Sequence, residues 1–74
     1  MGNEIVLIFE SIHKVLKAEK LLIEAKLKLE IIPTPRDLSS NCGMAIRLKK
    51  DENNINKIGE ILEKFRIAYK IFDR

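Results

Sequence analysis

Seventy-four residues, 46% hydrophobic and 34% charged, make up a chain built for one small folded domain and not for disorder. A chain this short buries only about 60–65% of its unfolded surface, which excludes a deep, enclosed substrate cavity and leaves any chemistry at the surface. Its net charge of +3 is mild: it permits acidic partners without calling for nucleic acid.

In chain order, Glu4 to Glu10 reads EIVLIFE, a β-prone apolar run bounded by charge and apolar on both faces, as a central strand is. Ser11 is a good N-cap, and Ile12, Val15, Leu16, Leu22 and Ile23 then recur at helical spacing through Ala25. Lys14, Lys17, Lys20 and Glu24 take the polar side. Leu27, Leu29 and Ile31 alternate with Lys28 and Glu30, a half-buried strand that Pro33 and Pro35 terminate. After a loop of small polar residues, Met44, Ile46 and Leu48 alternate with Ala45, Arg47 and Lys49 in a third strand. Asp51-Glu52-Asn53-Asn54 is a turn that supplies an N-cap and acidic charge to a second helix. That helix carries Ile55, Ile58, Leu62 and Phe65 on one stripe, and Tyr69 to Phe72 closes the chain as a short strand.

The order βαββαβ predicts an α+β, ferredoxin-like sandwich over residues 1–74, with four antiparallel strands and both helices on one face. This topology brings the loop after the second strand to the end of the sheet where the first helix begins. Cys42 is then expected near Glu10, Ser11, Ile12 and His13, and near the end of the second helix around Lys64 and Arg66. The open face of the sheet should carry Val6 or Leu7, Ile8 or Phe9, Ile32 and Phe72, a patch suited to self-association or a docked partner.

Cys42 is the only cysteine, so an intrachain disulfide is excluded; with no export signal and no apolar run long enough to cross a bilayer, a cytoplasmic location is expected. A free cysteine is commonly a small buried hydrophobe. Its neighbours Ser39, Ser40, Asn41 and Gly43, however, are turn formers, and Gly43 leaves one flank of the sulfur open. A thiol acts as the thiolate and needs positive potential, which Arg36, the first helix dipole and His13 are placed to supply. Residues alone leave a reactive and a structural thiol equally open. His13, the only histidine, reads either as an exposed first-turn residue or as a proton shuttle for Cys42. Glu19 falls in the apolar arc of the first helix, where a carboxylate costs stability unless it reaches water or a cation. It is either paired with Lys20, Lys26 or another lysine, or anchors the loop.

Other chemistries lack their residues. There is no C-x-x-C, no second ligand at zinc spacing and no phosphate-binding glycine pattern. RNA-binding domains of this architecture stack bases on strand aromatics, and the third strand, MAIRLK, has none. Arg47 and Lys49 read as solvating charges.

Two stretches, FESIHKVLKAEKLL and IIPTPRDLSSNCGMAIR, resemble a small prokaryotic family of selenium/sulfur carrier-like proteins, over about residues 5 to 72. Its most specific part is P-x-P-R-x-[LI]-S-S-x-C-G. The resemblance implies that Cys42 carries the atom and that Pro35, Arg36, Ser39, Ser40 and Gly43 shape its loop, and Glu19 matches an A-E pair in the family's first helix. It implies a protein donor such as a cysteine desulfurase, a protein acceptor, no cofactor, and no nucleic-acid or membrane partner. Two departures stand out. Ala25-Lys26-Leu27 replaces the family's glycine, so Lys26 is expected in the left-handed region, and Ile12-His13-Lys14-Val15 is bulkier than the family's helix start. A ligand-sensing module, or an adaptor using the open sheet face with an inert thiol, are the rival readings.

Overall fold

Apolar residues recur at intervals of two and of three to four in alternating blocks, and each block becomes a separate element. A computed structural model describes residues 3–38 and 43–74. The elements are β1 (Glu4–Ile8), α1 (Ile12–Glu24), β2 (Leu29–Pro33), β3 (Met44–Lys49), α2 (Glu52–Lys64) and β4 (Lys70–Asp73). The strands lie in the order β2-β3-β1-β4, every neighbouring pair antiparallel, which is the ferredoxin-like α+β arrangement. No helix among the described residues is long and apolar enough to cross a membrane.

β1 is central, as its unbroken apolar run requires, and its side chains divide between two clusters. Ile5, Leu7 and Phe9 face the helices with Ile46, Leu48, Val15, Leu22, Ile58 and Leu62. Each of these larger side chains contributes about 1.5–3 kcal/mol by leaving water. Val6 and Ile8 face the other way and pack with Ala45, Ile32, Leu38 and Phe72. β2 starts at Leu29 and not at Leu27, which is buried as the residue that closes the end of α1. Pro33 lies inside β2, opposite Met44, where an edge strand tolerates a missing N–H.

The helices correct two details. On α1 the buried stripe is Val15, Ala18 and Leu22; Ile12, Leu16 and Ile23 are 43, 53 and 53% exposed, because only about a third of a helix can face one sheet. On α2, Asp51 is the N-cap and accepts the Asn53 N–H at 2.8 Å, so residues 52–54 form the first helical turn and not a separate turn.

Both helices end in the same way. Lys26 N–H donates to the Ile23 carbonyl at 2.8 Å and Leu27 N–H to that of Leu22 at 3.1 Å. Arg66 N–H and Ile67 N–H repeat the pattern on Glu63 and Leu62. These are Schellman ends with left-handed residues at Lys26 (φ 67°) and Arg66 (φ 56°), and each is sealed by an apolar contact, Leu27 or Ile67, against the core. The strained Lys26 is as expected; Arg66 is a second instance that the sequence reading did not single out.

Candidate functional site

The loop joining β2 to β3 leaves the sheet where register brings three chain segments to one end. Leu7 and Ile31 both lie opposite Ile46, so β1 and β2 point the same way, and the Pro33–Met44 pair sits beyond them toward Phe9. α1 starts at this end, and β4 begins here with Lys70 opposite Ile8 after α2 has ended at Lys64. The N-terminal N–H groups of α1 have no intrahelical acceptor and leave partial positive charge here. Ser11 caps that helix with its side-chain oxygen 3.4 Å from the Lys14 N–H, and Lys14 pairs with Glu10 at 3.0 Å.

Cys42, Ser39 and Ser40 lie outside the described residues, as does Asn41. The residues on either side of them are described. At the base of the loop, Thr34 N–H donates to the Gly43 carbonyl at 3.1 Å, adding one rung to the β2–β3 ladder. Gly43 is exposed with no positive φ, and among the described residues nothing lies within 4 Å of a Cβ placed on it. Pro35 begins a turn in which its carbonyl accepts the Leu38 N–H at 3.0 Å. Arg36 is exposed and makes no ion pair among the described residues.

The first arm of the loop folds back over the open face of the sheet, which topology alone did not indicate. Leu38 packs against the Val6–Ile8–Ala45 cluster. The carboxylate of Asp37 takes two hydrogen bonds from the Arg74 guanidinium, at 2.9 and 3.0 Å. Arg74 is itself held by reciprocal backbone hydrogen bonds to Glu4, at the opposite end of β1 from the loop base. The guanidinium holds Asp37 below the usual carboxylate range, chiefly through these hydrogen bonds. A carboxylate shifted down contributes its stabilisation above its unfolded pKa and loses it as pH falls through the lower folded value, so the pair is intact at neutral pH and opens only in acid.

The supporting residues are less engaged. His13 is exposed in the first turn of α1 and makes no hydrogen bond or ion pair among the described residues. Glu19 is half-buried between the exposed Leu16 and Ile23 and pairs with no lysine among the described residues, so the expected partner Lys20 or Lys26 is not used. Arg47 is more than a solvating charge. It lies half-buried on the open face between Glu30 at 2.8 Å and Glu4 at 3.5 Å, which raise its pKa further above the arginine range, Glu30 foremost. Beside the loop, Ile8, Phe9, Glu10, Leu38, Ala68, Tyr69 and Lys70 line a cleft of about 210 Å³.

Sequence reasoning missed Asp37, Leu38 and Arg74. Leu38 carried a signal, being the one aliphatic side chain between Ile32 and Met44. Arg74, past the last strand, carried none. A family model described as "Putative Se/S carrier protein-like" matches residues 4–72. No curated protein and no solved structure matches.

Proposed function

From the premise that the chain belongs to this selenium/sulfur carrier protein-like family, we propose that it relays a sulfur or selenium atom on Cys42 between a protein donor and a protein acceptor. The observation that carries the reading is the family match itself, which runs through the PTPRDLSSNCG segment and its only cysteine. The geometry is compatible with it. The loop base lies at the end of the sheet where α1 begins, where partial positive charge would favour a thiolate, and Arg36 is an exposed cation of the same loop.

The chemistry needs no enclosed cavity, only a surface thiol that two partners can reach. Cys42 thiolate attacks the terminal chalcogen of a donor persulfide, such as one on a cysteine desulfurase. A bond forms from the Cys42 sulfur to that atom as the donor's own bond to it breaks, and the donor cysteine leaves as a thiolate. The atom, with its proton, now sits on Cys42 as a persulfide or selenopersulfide. A nucleophile on the acceptor takes it by the same exchange and returns Cys42 to the thiolate. Each step is a chalcogen transfer between thiolates, so no external oxidant or cofactor enters. Ser39 and Ser40, close to Cys42 in the sequence, are the hydroxyl donors on which the reading relies once the added chalcogen has lost its proton. His13 and Glu19 have at most a supporting part, since neither engages the described arms of the loop. The reading carries with it a reducing, cytoplasmic setting, in which a free thiol persists.

Incubation with a desulfurase and cysteine or selenocysteine, followed by intact mass, tests this. Wild type should gain one sulfur or selenium atom and Cys42→Ser none. No gain by wild type, or equal gain by the serine variant, sinks the carrier reading and favours an adaptor with an inert thiol.

A further inference from the structure

A loop that must present a thiol to two different proteins needs a defined starting position, and here the means of holding it lies outside the loop. The first arm of the loop is fixed at two points. Leu38 is seated on the Val6–Ile8–Ala45 cluster, and Asp37 is gripped by two parallel hydrogen bonds from Arg74. The second arm rejoins the sheet at Gly43, whose carbonyl accepts the Thr34 N–H. Arg74 is suited to hold the first arm because its backbone is bonded both ways to Glu4, giving its side chain a rigid root in the sheet. Phe72, two residues earlier, packs on the same face, so the alternation of β4 aims Arg74 across it. Planar two-point pairing fixes direction as well as distance, which a single lysine contact does not.

We propose that Arg74 and Asp37 are positioning residues for Cys42: their clasp, with Leu38 seated beside it, holds the first arm of the loop against the open face and so sets how the thiol is presented. The biological meaning of the clasp rests on the carrier reading, but its test does not. Among the other ion pairs of the described residues, Arg47 joins two carboxylates, but both lie on strands of the sheet and neither belongs to the loop. Lys50–Asp73 and Lys14–Glu10 are single contacts and touch no residue of the loop. The pair is solvent-exposed, so its loss should leave the fold intact while releasing the arm, and salt should weaken it.

The rate of Cys42 alkylation by iodoacetamide reads presentation directly, since the chain has one cysteine. At low ionic strength, Asp37→Asn and Arg74→Gln should each accelerate alkylation by about threefold or more, the double variant no further than either alone. Exchanging the pair, Asp37→Arg with Arg74→Asp, should return the rate toward wild type. Raising salt from about 0.02 M to about 0.5 M should accelerate wild type and leave the single variants unchanged. Asp73→Asn, which removes a charge outside the loop, should not alter the rate. Unchanged or slower alkylation in both single variants overturns the proposal, as does additive behaviour or failure of the exchanged pair to restore. Alkylation needs no chalcogen, so a failure here is separate from a failure to load sulfur or selenium.

Discussion

The hydroxyl of Thr34 is buried at the base of the loop and meets no hydrogen-bond partner among the described residues. Leaving a buried hydroxyl unpaired costs about 1–3 kcal/mol, and valine keeps the β-branched shape while removing the polar atom. Thr34→Val should therefore stabilise the protein by about 1 kcal/mol in urea unfolding. A loss of stability instead would mean that the hydroxyl is satisfied by the neighbouring loop. Arg47 also departs from its simple reading at this scale. Its position in β3 places it on the open face opposite both Val6 and Glu30, and the two carboxylates there turn a solvating side chain into a bridge across three strands. Since its pKa is raised, its contribution persists below the unfolded arginine value and is lost only as pH rises through the folded one, far above neutrality.

At the scale of the element, the two helices are built alike and strained alike. Each closes with a Schellman end whose left-handed position holds a long cationic side chain in place of glycine. Left-handed backbone costs a non-glycine residue about 1–2 kcal/mol, and glycine's greater freedom in the unfolded chain gives part of that back. Lys26→Gly and Arg66→Gly should each raise stability by about 1 kcal/mol, a rise of about 4–8 °C in Tm for a domain this size. α1 and α2 run in opposite directions, so their C-termini lie at opposite ends of the sheet and the two gains should add. Calorimetry of the single and double variants checks both parts. The loop is an element too: its described arms are set by the Pro35 turn, the Leu38 contact and the Thr34–Gly43 rung.

Across the whole molecule, the two faces of the sheet are covered by different means. Helices bury one face; on the other, Ile32, Leu38 and Phe72 close over Val6, Ile8 and Ala45, and charged pairs surround them. Self-association through the open face thus has less apolar surface to use than the sequence pattern suggests. Leu38→Ala would uncover part of that cluster, and sedimentation over a range of concentrations should show this variant associating more strongly than wild type. Equal association by the two chains would show that Leu38 does not shield the face.

The periodicities of EIVLIFE, of the two helices and of MAIRLK were enough to specify the βαββαβ order, and that order specifies the sheet, because short right-handed crossovers allow few alternatives. The end of the sheet at which the loop emerges follows from the same rule. Boundaries were less legible: Leu27 alternates like a strand residue yet closes a helix, since local pattern does not distinguish two kinds of burial. What the tertiary structure alone decided is where the first arm of the loop goes. Asp37 and Arg74 are 37 positions apart, and a pairing at that separation leaves no periodic trace in a sequence. It arises only once the sheet has brought the last residue of the chain across from the loop and an apolar cluster has given Leu38 a place to sit.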